Sequence, residues 1–258
     1  NELRENYAIQ KNDSDYLQFI ANKQVLGTWD DHDYGMNDGG EDYPYKRESQ
    51  QLLLDFLGTA KDAPERFRDG VYNSRVINFD GNKVKIIVLD TRFFRTAVTK
   101  SVNSKKRLQP NPYGQGTILG EAQWKWLEEE LSTSDAQFNV IVSSIQLLSD
   151  KHGFECWGNF PHEIDQLEKL LVTSKAKGAF IISGDRHIAT FSSKKVTNLN
   201  YPLVDFTSSG LTHVYSSFSG EENSYIVGKV VSEKNFGLLH FDFTNNRVIM
   251  QIRGLENK

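Results

Sequence analysis

Residues 84–92 read Val-Lys-Ile-Ile-Val-Leu-Asp-Thr-Arg, an apolar run that ends abruptly in three polar residues. A run rich in β-branched residues is typical of a strand that is buried on both faces of a sheet. Residues 139–145 and 179–182 have the same character and predict two further buried strands. Strands of this kind occur in sheets that helices cover, so we expect an α/β fold.

Helical patterns separate these strands. Residues 121–131 and 161–172 carry apolar side chains three or four positions apart, and the second segment begins with a proline. The order along the chain is therefore strand, helix, strand, helix, strand. This alternation supports an α/β architecture in which helices cover a mostly central sheet.

Further elements are predicted at both ends of the chain. Residues 48–57 show helical spacing and precede Gly58, a typical residue after a helix, and residues 15–20 form a short helix that Ser14 would cap. Residues 235–253 contain two apolar runs around an Asn-Asn turn, which predicts a C-terminal β-hairpin. Residues 96–118 lack periodicity and are expected to form a long loop.

Composition restricts the class of protein. The 258 residues are 38% hydrophobic and 25% charged, which is typical of a folded globular protein, and we expect a single domain over residues 1–258. A net charge of −4 gives no indication of a nucleic-acid partner. The single cysteine, Cys156, excludes an intrachain disulfide. No apolar run is long enough to span a bilayer.

Three predicted strands end in polar clusters. The apolar run 25–29 is followed by Asp-Asp-His-Asp at 30–33, the run 84–89 by Asp-Thr-Arg at 90–92, and the run 179–182 by Ser-Gly-Asp-Arg-His at 183–187. In open α/β sheets, the carboxyl ends of the strands border the crevice in which ligands bind. We therefore expect the three clusters to lie close together.

The chemistry of these clusters suits a metal ion. Asp and His side chains supply the oxygen and nitrogen ligands that bind Zn, Fe, Mn or Ca. Asp185 and His187 are two positions apart, so in an extended segment both side chains point to the same side. The carboxylates of Asp30, Asp31 and Asp33 would repel one another strongly if buried without a cation.

A structural interpretation remains open for each cluster. An Asp-x-His sequence after a strand is also typical of a hydrogen-bonded turn, and an acidic segment with glycines such as 30–42 is also typical of a solvated loop. That segment does not have the spacing of a calcium-binding loop, because Gly35 occupies a position where an oxygen ligand is needed. Composition and spacing alone leave both interpretations standing.

Two motifs resemble a known family. Residues 27–34, Gly-Thr-Trp-Asp-Asp-His-Asp-Tyr, resemble the Trp-Asp-Asp-His signature of the PhoD-like (alkaline phosphatase D) family of the metallophosphoesterase superfamily, and residues 183–189 resemble its closing Ser-Gly-Asp-x-His signature. Residues 89–92, 119–127 and 207–213 are similar to further parts of that family. The resemblance implies a four-layered α/β/β/α sandwich of two mixed sheets.

The resemblance also implies residue roles. Asp31, Asp185 and His187 would bind two metal ions (Fe, Ca, Zn or Mn), with Asp30 able to exchange roles with Asp31, and His32 would assist the leaving group. The implied reaction is hydrolysis of phosphomonoesters or phosphodiesters, including phospholipids, through a metal-activated water. Family members are commonly exported, which implies a periplasmic or secreted location.

Two departures from the family pattern affect the metal site. The family's upstream Gly-Asp signature, which supplies a metal-bridging carboxylate, has no equivalent before residue 30, and the chain begins at Asn1 without an initiator Met or signal-peptide pattern. We therefore expect an N-terminally truncated domain with weak metal binding and doubtful activity. In addition, residues 143–146 read Ser-Ser-Ile-Gln where the superfamily has a histidine ligand.

Further residues are candidates for substrate binding: Arg92, Arg186, Trp157 and His213, with Arg95 as a lesser one. An arginine near a metal pair can bind phosphate oxygens, although exposed arginines are usually solvated. Trp157 would form a pocket wall or anchor its loop, and His213 would belong to the site or simply to the loop. Cys156 is expected to be inert.

Two other functional classes compete with a phosphoesterase. A metal-stabilised binding or structural protein would use the acidic segment to bind calcium without turnover. A serine hydrolase would use Ser208 or Ser209 with His213, but the Gly-x-Ser-x-Gly pattern of such enzymes is absent from the sequence.

Overall fold

The computed structural model describes residues 2–103 and 105–258, so Asn1 at the predicted internal start and Ser104 in the predicted loop lie outside the described residues. The α-helices are α1 Glu2–Asn12, α2 Ser14–Ile20, α3 Asp31–Tyr34, α4 Lys46–Phe56, α5 Gly120–Ser132 and α6 Pro161–Ser174. The strands are β1 Asn73–Phe79, β2 Asn82–Val88, β3 Phe138–Val142, β4 Ala179–Ser183, β5 Ala189–Lys194, β6 Leu203–Ser208, β7 Ile226–Val231, β8 Phe236–Asp242 and β9 Arg247–Arg253.

Seven strands form one mixed sheet in the order β1-β2-β3-β4-β6-β5-β7. Its centre, β2, β3, β4 and β6, is parallel, whereas β1 and β5 run antiparallel to their neighbours. Strands β8 and β9 form a separate antiparallel pair. The predicted α/β fold class and the C-terminal hairpin are therefore confirmed.

The parallel centre of the sheet is covered on both faces. On one face, Ile87, Ile141 and Ile181 pack against apolar side chains of α5 and α6. On the other face, Val140 and Phe180 pack against the hairpin through side chains that include Leu239, Phe241, Val248 and Met250. Successive side chains of a strand point to opposite faces, so the continuous apolar runs of β2, β3 and β4 supply both layers. Each fully buried side chain of this size contributes about 1.5–3 kcal/mol.

The N-terminal helices pack around a smaller core. This core contains Trp29, Tyr34, Leu53, Val71 and Phe93, and helix α1 contacts α4 beside it. The cap of α2 is Asp13, whose Oδ1 accepts a hydrogen bond of 2.8 Å from the amide of Tyr16. The prediction that Ser14 is the cap was wrong by one position, because Asp13 already supplies an acceptor at the correct distance from the first turn.

The predicted strand at 25–29 is not formed. Within the described part of the chain no strand pairs with this segment, and its backbone groups form no hydrogen bond with other backbone groups. A strand needs a partner ladder, which an apolar pattern cannot guarantee. Trp29 is nevertheless fully buried, and its Nε1 donates to Oδ1 of Asp90 at 2.8 Å, which fixes the position from which the acidic segment begins.

Candidate functional site

The polar clusters at the ends of the apolar runs meet at one edge of the sheet. Oδ1 of Asp30 accepts hydrogen bonds from Nε of Arg92 at 2.8 Å and from Oγ of Ser144 at 2.9 Å. These three residues follow the 25–29 segment, β2 and β3. The cluster after β4 completes a cleft of about 600 Å³ whose lining includes Asp30, Asp31, His32, Asp33, Asp185 and His187.

Hydrogen bonds between its own backbone amides and Asp side chains hold the acidic segment in place. Asp31–Tyr34 forms the single helical turn α3, and the amide of Asp30 donates to Oδ1 of Asp33 at 2.7 Å. The two carboxylate oxygens of Asp31 accept from the amides of His32 at 2.7 Å and of Asp38 at 3.1 Å. Asp31 is therefore held by the loop, whereas Asp30 is directed toward the strand ends.

Asp185 and His187 lie on a tight turn after β4. Both adopt left-handed backbone conformations, with φ of 68° and 54°, which are uncommon for residues other than glycine. The amide of Arg186 donates to the carbonyl of Gly184 at 2.9 Å, and the carbonyl of His187 accepts from the amide of Tyr215 at 2.9 Å. Local strain of this kind concentrates at functional sites.

The site carries more negative charge than its neighbours balance. Burial raises the pKa of Asp185 well above its usual value, and the charge of Asp30 adds to the rise, whereas Arg92 and Arg186 oppose it. Burial likewise raises the pKa of Asp33 to about 7. Among the described residues, no group donates a hydrogen bond to the carboxylate of Asp185. A carboxylate in this situation is stabilised by a cation.

Three side chains at the cleft have the chemistry that a metal ion requires. The unpaired carboxylate of Asp185, with Asp30 and the imidazole of His187 beside it, has the chemistry of metal ligands. No three His, Cys, Asp or Glu side chains of residues 2–103 and 105–258 are arranged to hold an ion by themselves. The residues thus fit a cation chemically, and such an ion would need additional ligands.

Arg92 is paired within the fold. Its side chain is fully buried, and its guanidinium pairs with Asp30 on one side and with Glu155 on the other. Glu155 in turn binds Nε of Arg95 at 2.8 Å, and both of these side chains are buried. Burial lowers the pKa of Arg92, but the two carboxylates outweigh it and leave the pKa raised. The donors of Arg92 are thus occupied within the fold, and its contact with a substrate stays a prediction.

Arg186 lines the cleft, His213 lies near the cleft residue His187, and Trp157 lies outside the cleft. Arg186 lines the cleft, pairs with Glu221 and lies over the ring of Phe154, 4.1 Å from its centroid. His213 is exposed, with its ring 6.2 Å from that of His187. Trp157 is fully buried in the core, and its Nε1 donates to Oγ of Ser143 at 3.1 Å. The structure thus favours the role of Trp157 as an anchor of its loop, and its contact with a substrate stays a prediction.

Cys156 and the two serines of the proposed serine hydrolase, Ser208 and Ser209, bear on the remaining sequence predictions. Cys156 is buried, and burial raises the pKa of its thiol to about 12, as expected for an inert cysteine. Oγ of Ser208 donates to Oδ1 of Asn235 at 3.2 Å rather than to a histidine. Among the described residues, neither Ser208 nor Ser209 is hydrogen-bonded to a histidine side chain, so a serine-hydrolase site has no geometric support.

Most of the chain matches one known protein family. A family model described as PhoD-like phosphatase matches residues 64–250, which is well over half of the chain. The chain belongs to the PhoD-like phosphatase family. The matched part of this PhoD-like chain contains Arg92, Asp185 and His187, whereas Asp30–Asp33 lie before it.

Individual relatives agree with this assignment. The PhoD-like chain is 23% identical over 212 residues to alkaline phosphatase D of Bacillus subtilis (strain 168), which covers 76% of the chain and 36% of that relative. A solved structure of PhoD matches with a TM-score of 0.63 and 17% identity, covering 88% of this chain and 51% of that one. The chain thus shares the fold and spans about half or less of the length of these relatives.

Sequence reasoning missed part of the site in this PhoD-like chain. Glu155 bridges the two buried arginines, and Arg107 borders the cleft and forms an ion pair with Asp38. Glu155 is in an irregular loop, and Arg107 is in the long loop after β2, so neither belongs to a periodic pattern or a motif. Ser144, which binds Asp30, was detectable only as a polar residue just beyond β3.

Proposed function

We propose that this chain carries a metal-dependent phosphoesterase site that hydrolyses phosphomonoesters, phosphodiesters or both. The observation that supports this proposal is the meeting of Asp30, Asp185 and His187 at one cleft with unbalanced negative charge, in a chain of the PhoD-like phosphatase family. We propose residues 1–258 as a single catalytic domain.

In this proposal Asp185, His187 and Asp30 or Asp31 hold the metal ions, two in number, of which Fe, Ca, Zn and Mn are the candidates. A bound ion would neutralise charge on the phosphoryl oxygens and lower the pKa of water. Asp30 is better suited to this role than Asp31, because both oxygens of Asp31 accept backbone amides, whereas Asp30 accepts its bonds from Arg92 and Ser144 through Oδ1 and keeps Oδ2 for an ion. Of the two residues that the sequence offered for this ligand position, we therefore propose Asp30.

His32 is proposed to donate a proton to the leaving group. Its side chain is exposed and lines the same cleft as Asp185 and His187. Helix α3 fixes its backbone, because the amide of His32 is bound to Asp31. A protonated imidazole at this position can act as the general acid that protonates a departing alkoxide.

The substrate is proposed to be a small phosphate ester or a phospholipid. The cleft is open to solvent and holds arginine and histidine side chains, which suit phosphoryl oxygens. No helix among the described residues is long and apolar enough to cross a membrane. By family resemblance we propose a periplasmic or secreted location.

Hydrolysis of an aryl phosphate and an alkyl phosphate, each with the candidate metals, tests the role of His32. Protonation matters more for the alkyl ester, because an alkoxide leaves less readily than a nitrophenolate. We expect His32→Ala to lower the alkyl rate by about 10²–10⁴-fold and the aryl rate much less. An equal loss for both esters would contradict proton donation by His32.

The same samples test the alternative of a metal-stabilised binding or structural protein. That alternative predicts that added metal raises the melting temperature while neither a phosphomonoester nor a bis-aryl phosphate is hydrolysed above a protein-free blank that contains the same metal. Hydrolysis that depends on metal and on His32 would exclude it.

A further inference from the structure

Two arginines line the cleft among the described residues, Arg186 and Arg107. Arg186 is restrained: its guanidinium pairs with Glu221, stacks on Phe154 and is only 10% exposed. Its position therefore depends on contacts within the fold, and it offers little surface to a ligand.

Arg107 is different because 52% of its side-chain surface is exposed even while it forms its ion pair. It belongs to the loop between β2 and α5, yet its backbone is fixed on both sides. The amide of Arg107 donates to the carbonyl of Gly153 at 3.1 Å, and its carbonyl accepts from the amide of Ser101 at 2.9 Å. The guanidinium is thus half exposed on a fixed backbone.

The partner of Arg107 is Asp38, which lies on the opposite, acidic side of the cleft. The backbone of Asp38 is anchored in the site: its amide donates to Oδ2 of Asp31 at 3.1 Å, and its carbonyl accepts from Arg95. The ion pair therefore joins the long loop to the acidic segment at the cleft. Solvent-exposed ion pairs contribute little to stability, so an anion in the cleft can replace Asp38.

We propose that Arg107 binds the phosphoryl oxygens of the ligand in this cleft, and that Asp38 holds Arg107 in place until a phosphate displaces it. The planar guanidinium offers paired N–H donors that match two phosphate oxygens. That the phosphate belongs to a substrate rests on the proposed phosphoesterase function. The contact itself requires only an anionic phosphate in the cleft.

Calorimetric titration with inorganic phosphate tests this proposal without any need for turnover. We expect Arg107→Gln to weaken phosphate binding by about tenfold or more, because a charge-assisted hydrogen bond is lost. Asp38→Asn should tighten binding by up to about fivefold, because the competing carboxylate is removed. The matched control is Arg75→Gln, which alters an exposed arginine on β1 and should leave the affinity unchanged.

Opposite effects of the two variants would distinguish competition from a general change in charge. Equal phosphate affinity in wild type and Arg107→Gln would overturn the proposal, and so would weaker binding in Asp38→Asn. Melting curves should show that both variants remain folded, since both side chains lie at the surface of the cleft.

Steady-state kinetics separate this proposal from the phosphoesterase proposal. If phosphate esters are hydrolysed, Arg107→Gln should raise KM about tenfold with little change in kcat, and Arg107→Lys should restore part of the loss. Turnover with an unchanged KM would overturn the role of Arg107 and leave the proposed function intact. If phosphate binding depends on Arg107 but no ester is hydrolysed with any metal, the role of Arg107 is supported and the proposed function is contradicted.

Discussion

Nε of Arg92 lies 2.8 Å from Oδ1 of Asp30, 62 residues away in sequence, and the arginine side chain is completely buried. A second guanidinium nitrogen of Arg92 pairs with Glu155. Arg92 thus connects the loop that contains Glu155 to the carboxylate at the cleft. The position of Asp30 is set from inside the protein, independently of any ligand.

The first prediction concerns the removal of this buried charge. Arg92→Met would leave Glu155 buried with one partner fewer and Asp30 without its strongest donor, which should lower the free energy of unfolding by about 3–5 kcal/mol. Urea denaturation followed by circular dichroism would measure it. Arg75→Met, at an exposed arginine, should change it by less than about 0.5 kcal/mol. Similar values for the two variants would show that the Arg92 pairs do not stabilise the fold.

The second prediction is a conflict between stability and function at Asp185. Its pKa is raised in the folded state, so its contribution to stability is complete below the ordinary value and is lost as pH rises through the raised one. In the presence of a chelator, Asp185→Asn should therefore increase the free energy of unfolding at pH 8 by about 0.5–2 kcal/mol, and the gain should disappear towards pH 4.

Asp242→Asn provides a control of opposite sign. Hydrogen bonds from Asn245 and the proximity of Arg247 lower the pKa of Asp242, so its ionised form favours folding above the ordinary pKa. Compared with wild type, Asp242→Asn should therefore have a lower free energy of unfolding at pH 8, and this difference should shrink towards pH 4. A pH-independent effect of Asp185→Asn would contradict the unbalanced charge that we assign to the cleft.

The third prediction concerns His152, whose ring is buried. Its Nδ1 accepts a hydrogen bond of 3.0 Å from the amide of Phe154. Burial, with the charges of Arg186 and Lys106, lowers the pKa of His152 to about 3. In the unfolded chain a histidine titrates near pH 6.5. The stability that the neutral ring contributes is therefore complete above about pH 6.5 and is lost as pH falls towards 3.

His152→Gln should consequently lose less stability than wild type between pH 7 and pH 4.5 in urea denaturation. His240→Gln, which replaces an exposed histidine on β8, is the matched control and should follow the wild-type pH profile. If His152→Gln also follows the wild-type profile, protonation of His152 does not contribute to acid unfolding.

Sequence patterns correctly predicted the elements whose buried side chains form a regular pattern within one short segment. The segment 161–172 corresponds to α6, Pro161–Ser174, and the run 84–89 corresponds to β2, because a continuous apolar stripe or run already determines what is buried. Strand β1 was not predicted, since its exposed side chains show little alternation and its conformation depends on pairing with β2. The segment 25–29 shows the converse, an apolar run without a partner strand.

The site was predictable in its location but not in its detailed contacts. Strand ends of a parallel sheet meet at one edge, so the approach of Ser144 and Asp185 follows from the topology. Asp30 reaches them from a segment that is not a strand, and the topology does not predict its position. Two ion pairs, Arg92 with Glu155 and Arg107 with Asp38, form between loops that come together only in the folded chain. No spacing in the sequence encodes those distances.

The most direct test is the initial rate of 4-nitrophenyl phosphate hydrolysis by this chain with Fe, Ca, Zn or Mn added in turn, compared between wild type and Asp185→Asn. A metal-dependent phosphoesterase site at this cleft predicts turnover with at least one metal and a loss of at least about 100-fold in the variant. Turnover that needs no metal, or that persists at the wild-type rate in Asp185→Asn, would contradict it.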